Sequence, residues 1–261
     1  MLISQRIKNH LLCEAAGVRV KDVRIGLRYT AVSLEGGRTG VAFTFSEGMA
    51  RQCPFLEGLH PLAGRVASDL ISLLGSKSKI EMAVALATGN ALVNSQRDEQ
   101  LKGDATEYLH IKGEDIVGMV GYSAPILSKL RKLTSRIMIF EQSGDRGGEC
   151  YPEEDAYRLL PQCEVAMITS TSILNHTIDR LLESSCSCRE VVLMGATTPL
   201  LPQAFENTPV TLLSGVIITR PEEILRIVSE GGGVRLFKGS VVKVNHPLRR
   251  AYPNALSGNL L

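Results

Sequence analysis

The chain of 261 residues is long enough for two ordinary domains, and its 44% hydrophobic and 21% charged residues are a globular balance with ample core. A formal net charge of +2 without any dense Lys/Arg block argues against a nucleic-acid partner, and no apolar run reaches the roughly 18 residues of a bilayer span. The six cysteines are scattered, and the first twelve residues are broken by Gln5, Arg6, Lys8, Asn9 and His10. Reduced thiols in a cytoplasmic protein are the expectation.

The first hundred residues read as a small α+β unit. A helix is expected from Ile3 to Ala16, stopped by Gly17. Strands are expected at Val23–Tyr29, Ala31–Leu34 and Val41–Phe45, the last two joined by a hairpin-like turn over Glu35–Gly40. Pro61, followed by Leu62, Val66, Leu70, Leu73 and Leu74, predicts a helix ended by Gly75. Ser78 and Glu81 form a capping-box pattern ahead of Ile80, Val84 and Ala87. The polar stretch Asp98–Asp104 carries the boundary, giving domains over residues 1–100 and 101–261.

Beyond it, strands and helices alternate. Ile116–Val120, Ile137–Phe140, Val165–Thr169, Val191–Met194 and Val216–Ile218 are apolar without polar alternation, as strands buried on both faces require. Helices are expected over Pro125–Leu133, Pro152–Leu160, Asn175–Glu183 and Pro221–Glu230. The last has Thr219 and Glu222 as a capping pair and Gly231–Gly233 as its stop. The pattern predicts a doubly wound parallel sheet, so the fold class is α/β, with a Rossmann-like C-terminal domain and a smaller N-terminal α+β domain. The tail after Val244, with Pro247, Pro253 and Gly258, has no readable periodicity. Gly144–Gly148 reads as a surface loop.

Ligands of open parallel sheets bind beyond the carboxyl ends of the strands, near the switch in strand order. The residues placed there are Gly121-Tyr122-Ser123, Glu141, Thr169-Ser170-Thr171-Ser172 and Gly195-Ala196-Thr197-Thr198. Any single Ser or Thr at such a place is a helix cap first. Small polar residues after three different strands nevertheless cluster into a candidate small-ligand site suited to an anion. Gly118 and Gly121, with Glu141 about twenty residues on, invite a dinucleotide reading, but the G-x-G-x-x-G turn is absent. Ser170 has no G-x-S-x-G elbow around it. Cys186-Ser187-Cys188 lacks a second pair at structural-zinc spacing and reads as a surface pair. His176, at a helix start on the same edge, is the candidate metal ligand, with Cys150, Cys186 and Cys188 as further soft donors for a transition metal ion.

Three segments together carry a family resemblance: Val117-Gly118-Met119-Val120-Gly121-Tyr122, Val165-Ala166-Met167-Ile168-Thr169-Ser170-Thr171-Ser172-Ile173-Leu174-Asn175-His176-Thr177, and Val192-Leu193-Met194-Gly195-Ala196-Thr197-Thr198-Pro199-Leu200. With Ile25-Gly26, Thr39-Gly40-Val41-Ala42 and Gly89-Asn90-Ala91-Leu92-Val93-Asn94, they resemble a bacterial and archaeal family named for heavy-metal chelation and long carried as a domain of unknown function. The resemblance implies an N-terminal domain similar to the enolase N-terminal fold, a Rossmann-like domain after it, and a ligand cleft between the two. It implies a lining of Asn90 and Asn94 from the first domain, and Gly121, Tyr122, Thr169, Asn175, Thr177, Gly195, Thr197 and Thr198 from the second. His176 stands where a small residue such as Gly is usual, and Ala196-Thr197 where Pro-Ser is common. The function implied is the handling of a transition metal or a metal-binding small molecule, with a homo-oligomer as one possible state. The alternatives are an enzyme acting on a phosphorylated or nucleotide-like compound and a non-catalytic ligand sensor.

Overall fold

Helix α1 (Ile3–Ala15) buries Ile3, Ile7, Leu11 and Ala15, the stripe that three- and four-residue spacing dictates. The computed structural model describes residues 1–45, 56–97, 100–142 and 150–248. Asp98, Glu99 and the Gly144–Gly148 loop lie outside these residues, as does the tail beyond Leu248. Strands β1 (Val20–Ile25), β2 (Tyr29–Leu34) and β3 (Thr39–Phe43) follow as an antiparallel sheet in that order. Gly36 and Gly37 turn the β2–β3 hairpin with φ of 84° and 85°, a backbone region that glycine enters without steric cost.

The helix expected from Pro61 shrinks to α2 (Ala67–Ile71). The residues ahead of it are claimed by the sheet edge: Val20 N–H donates to Arg65 O at 2.9 Å, and Ala67 N–H to Val18 O at 2.7 Å. Helix α3 (Lys79–Val93) starts where its cap pattern says, with Ser78 Oγ accepting from Glu81 N–H. The Glu81 carboxylate bonds the Ser76 hydroxyl instead of returning to Ser78, so only half of the capping box forms. From Met82 to Val93 every residue of α3 is buried, which its all-round apolar sequence requires. Backbone meets backbone where α3 crosses β3: a Cβ on Gly40 would lie 2.2 Å from Ala91 N.

The second sheet has eight strands: β4 (Leu101–Lys102), β5 (Val117–Val120), β6 (Ile137–Glu141), β7 (Cys150–Pro152), β8 (Val165–Thr169), β9 (Glu190–Met194), β10 (Leu212–Ile218) and β11 (Val241–Pro247). Their order is β4-β11-β10-β9-β8-β5-β6-β7, with β5 to β10 mutually parallel and β11 and β4 antiparallel at one end. Counted from β5, the parallel strands run in the 3-2-1-4-5-6 order of dinucleotide-binding sheets. Helix α4 (Ala124–Leu130) covers one face through Leu127 and Leu130. Helices α5 (Ala156–Leu159) and α6 (Ile178–Ser184) cover the other through Leu159, Ile178 and Leu181.

Several expectations need correction. Pro152–Leu160 is a 3-10 turn over Glu153–Asp155 and then the single turn of α5. Helix α7 (Pro221–Ser229) has Arg220 at its cap position and no side-chain cap bond, so Thr219 does not cap it; Pro221 sets the first turn. The region around Val244 is strand β11, whose pairing with β10 from Leu212–Pro247 to Ile218–Val241 supplies the order that its sequence pattern hides.

Helix α7 leaves its own sheet to pack on the three-stranded one. Tyr29, Ala31 and Val41 meet Ile224, Leu225 and Val228 there, while Val32, Leu34 and Ala42 face the α3 side. Covered from both sides, β2 is buried at all six positions.

Candidate functional site

The switch in strand order falls between β5 and β8, and a cleft of about 590 Å³ opens at the carboxyl ends of these strands. Its floor is the Gly121-Tyr122-Ser123 turn after β5, the end of β6 at Phe140–Gln142, and Thr169, Thr171, Ser172 and Asn175 after β8. Gly195 and Met194 close one end, and Glu153 stands at the other. The facing wall belongs to the N-terminal sheet: Leu27 and Arg28 from the β1–β2 turn, and Phe43, Thr44 and Phe45 at the end of β3.

Local chemistry explains why the floor stays open. Gly121 has φ +88°, and a Cβ there would lie 2.8 Å from Thr169 Cγ2, so any side chain would fill the gap between the two strand ends. Gly195, at φ +130°, brings its Cα over buried Ser170, whose Oγ would be 2.9 Å from an added Cβ and has no hydrogen-bond partner among the described residues. Thr169 caps the following turn, its Oγ1 2.9 Å from Thr171 Oγ1, while Ser172 Oγ donates to Thr169 O at 2.6 Å. Asn175 Oδ1 accepts from Thr177 Oγ1 at 2.9 Å and from Thr177 N–H at 3.3 Å.

The two carboxylates differ in role. Glu141 accepts from Tyr122 N–H at 2.8 Å and from Gln142 N–H at 2.9 Å, so it anchors the glycine turn. This leaves it poorly placed for the ribose contact that an acidic residue after the second strand makes in dinucleotide sites. Glu153 is half-buried, and burial pushes its carboxyl above the usual range. Hydrogen bonds from Gln142 and Thr177 pull it back, and the neighbouring charge of Glu141 adds to the rise. On the facing wall, Phe45 packs edge-on against Phe43 at 5.1 Å between centroids and carries Lys79 Nζ 4.6 Å above its ring.

Of the residues singled out from sequence, Gly121, Tyr122, Ser123, Glu141, Thr169, Thr171, Ser172, Asn175 and Gly195 line this cleft. Asn90, Asn94, Thr197 and Thr198 do not; they tie the two sheets together. Asn90 Nδ2 donates to Val41 O at 2.8 Å and Thr197 O at 3.0 Å. Asn94 Nδ2 donates to Thr198 O and Val216 O, and its Oδ1 accepts from Leu200 N–H at 2.8 Å. Thr197 Oγ1 accepts from Phe43 N–H at 2.9 Å, and Thr198 is fully buried. Ser170 lies beneath the floor, and Thr177 supports Asn175 and Glu153.

His176 is exposed, with its Nε2 2.9 Å from Ser76 O and its backbone at φ 62°, the conformation glycine holds most easily. Among the described residues, no three His, Cys, Asp or Glu side chains come together as a metal-holding group. Among the described residues the cleft offers carboxylate, hydroxyl and amide oxygens and one thioether, that of Met194, a donor set too poor in soft ligands for direct capture of a soft heavy metal. The expected surface pair also divides, since Cys186 is exposed and Cys188 buried. Burial pushes the Cys188 thiol up to about 12 and that of Cys163 to about 11.

The sequence reading missed Leu27, Arg28, Phe43, Thr44, Phe45, Gln142 and Glu153. The first five belong to the opposite sheet, where an exposed turn arginine and strand-end aromatics look like ordinary surface and core. Glu153 follows β7, a strand of three residues with too short a pattern to read.

A family model described as "Putative heavy-metal chelation" matches residues 104–246, and a second model of the same description matches residues 8–93. An uncharacterized protein of Methanocaldococcus jannaschii is 24% identical over 253 residues, covering 92% of this chain and 95% of that one. The fold matches a crystal structure of a family member of unknown function from Pyrococcus horikoshii, with TM-score 0.84 and 23% identity over 94% of this chain and 100% of that one. It also matches a member of unknown function from Desulfitobacterium hafniense, with TM-score 0.80 and 24% identity over 94% of this chain and 98% of that one. Among the described residues no helix is long and apolar enough to cross a membrane. With more than half of its length matched by the first model, the chain belongs to the family described as "Putative heavy-metal chelation".

Proposed function

We propose that the cleft binds a polar organic molecule, and that metal reaches this protein as a complex of such a molecule and not as a bare ion. The observation that carries this reading is the donor set. At a Rossmann-type switch point, where small organic ligands bind, the described residues of the lining supply oxygens, amides, a single thioether at Met194, Arg28 and the rings of Phe43 and Phe45, without histidine or cysteine. Such a lining orients a chelator by its own carboxylates or amides and leaves the metal's inner sphere to the chelator. In this role Arg28 faces the ligand's negative charge, Phe43 and Phe45 cover its apolar part, and Asn175 and Thr169 fix its orientation. The cleft has the volume range of ordinary small-molecule pockets.

A second reading, a phosphorylated or nucleotide-like ligand, draws support from the strand order alone. The absence of the glycine-rich phosphate turn and the engagement of Glu141 by backbone N–H groups both weigh against it.

Calorimetric titration with nickel chloride, with the nickel–histidine complex and with histidine alone tests the proposal. Saturable binding of the complex, weakened by Arg28→Ala and Asn175→Ala, is expected. Stoichiometric uptake of the bare ion with no binding of the complex would overturn it.

A further inference from the structure

The edge of the sheet opposite the cleft holds an arrangement that neither the cleft nor its ligand uses. Strands β8 and β9 are parallel neighbours in register from Val165–Glu190 to Thr169–Met194. Cys163 and Cys188 each lie two residues upstream of the Val165–Glu190 pair, so they occupy matching positions on adjacent chains. The backbone stays tied there, with Arg189 N–H donating to Glu164 O at 2.8 Å. Both thiols point to the same covering layer: Cys163 Sγ donates to Leu159 O and Cys188 Sγ to Leu160 O, each at 3.5 Å. Both residues belong to the same buried cluster, at 3% and 8% exposure.

Exposed Cys186 sits just ahead of this pair, its Sγ donating to Leu182 O at 3.6 Å. Between it and Cys188, Ser187 Oγ donates to Pro161 O at 3.0 Å, which ties this segment to the α5 layer.

We infer that Cys163 and Cys188 form a two-thiolate site for a soft, two-coordinate ion of the copper(I) class, with Cys186 as the thiol through which the ion enters. Adjacent parallel chains lie about 4.8 Å apart. The two sulfurs converge on one turn, Cys163 Sγ at Leu159 O and Cys188 Sγ at the next carbonyl, Leu160 O. The donor count selects the ion: with no group of three or more ligating side chains among the described residues, a tetrahedral zinc, nickel or cobalt site has too few ligands. Two thiolates in an apolar layer suit a soft d10 ion. Binding is balanced as one Cu⁺ and two thiols giving one dithiolate–copper complex and two released protons, with no change of oxidation state. This site is independent of the cleft and of the ligand proposed for it.

The test uses the full-length reduced protein under anaerobic conditions, with copper(I) presented as its bathocuproine disulfonate complex. One copper per chain is expected, with an X-ray absorption spectrum of two sulfur neighbours. Cys163→Ala and Cys188→Ala should each lower retention by at least about tenfold. Cys186→Ser should slow uptake while leaving final retention within about threefold. Unchanged retention in folded Cys188→Ala overturns the site, as does a wild-type spectrum with nitrogen donors or three sulfurs. Because the wild-type spectrum alone distinguishes these outcomes, an alanine variant that fails to fold does not protect the proposal. Loss of nickel-complex binding in the cleft would leave this result unaffected, and the converse holds.

Discussion

Two regions where the sheets meet are built from the same kinds of residue and do opposite things. Along the seam, Asn90, Asn94 and Thr197 bond across from α3 and β3 to the segment after β9 and to β10. At the cleft, the side chains of Asn175, Thr169, Thr171 and Ser172 bond, among the described residues, within their own turn and leave one side facing open volume. An Asn or Thr near a strand end therefore carries no function by its type. What separates the two regions is whether a polar group's partners come from the other sheet or from its own turn. Partners across the seam fix the sheets relative to each other; partners within the turn hold a surface in place while keeping it available.

The comparison is broken most directly at Asn94. Asn94→Ala removes three bonds that cross the seam and leaves the Leu200 N–H and two carbonyls without those partners, at a cost of about 2 kcal/mol. Thermal unfolding should record a loss of about 4–8 °C, while cleft binding by the folded protein stays within about twofold. A stable variant with weakened binding would place Asn94 on the cleft side of the distinction. Asn175→Ala should do the reverse. Its turn costs under about 1 kcal/mol, as for a lost cap, while affinity for the nickel–histidine complex falls about tenfold by calorimetry. Equal stability losses in the two variants would erase the difference between the regions.

The sequence makes the sheet legible and the seam illegible for a physical reason. Apolar runs such as Val165–Thr169 must be strands buried on both faces, and the structure places that strand at the same residues. The small polar residues after them point to the strand-end edge, and Gly121, Thr169 and Asn175 line the cleft there. Asn90 and Asn94 fall on that edge only through resemblance, because their partners are backbone carbonyls and one N–H, all but Val41 more than a hundred positions away. Carbonyls have no sequence signature. Arg28 is missed for the converse reason: a turn arginine becomes a cleft wall only once α7 and α3 have clamped its sheet against the second one. Cys163 and Cys188 look unrelated until the β8–β9 register sets them side by side.

Charge sharpens the same contrast through pH. At the edge opposite the cleft, Arg189 Nη2 lies 2.6 Å from buried Asp115 Oδ2, and the hydrogen bond to that guanidinium holds the carboxyl below its ordinary value of 3.8. A lowered folded value favours the charged form, so its stabilisation is present above the unfolded value and is lost as pH falls through the folded one. Arg189 is 41% exposed, which screens the pair, and Asp115→Asn should cost about 1 kcal/mol at pH 7. The melting difference from wild type should close as pH drops below 3.8 toward the folded value. A difference that persists unchanged through that window would mean the cost of Asp115→Asn is steric.

Glu153 in the cleft runs with the opposite sign. Burial, aided by the charge on Glu141, raises its carboxyl above the ordinary 4.5, so folding favours the protonated form. Stability is then fully present below the unfolded value and is lost as pH rises through the folded one. Glu153→Gln keeps a hydrogen-bonding amide beside Thr177 and Gln142 and removes the ionisation. The variant should therefore melt slightly above wild type at pH 7 and level with it near pH 4. A closed seam has no reason to hold a strained charge, whereas an open cleft relieves one when a ligand's cation or positive edge arrives. Glu153→Gln should accordingly weaken binding of the nickel–histidine complex more at pH 7 than at pH 5, where wild-type Glu153 is partly protonated. Equal weakening at both pH values would assign Glu153 to the support of Thr177 and Asn175, with no charge-based contact to the ligand.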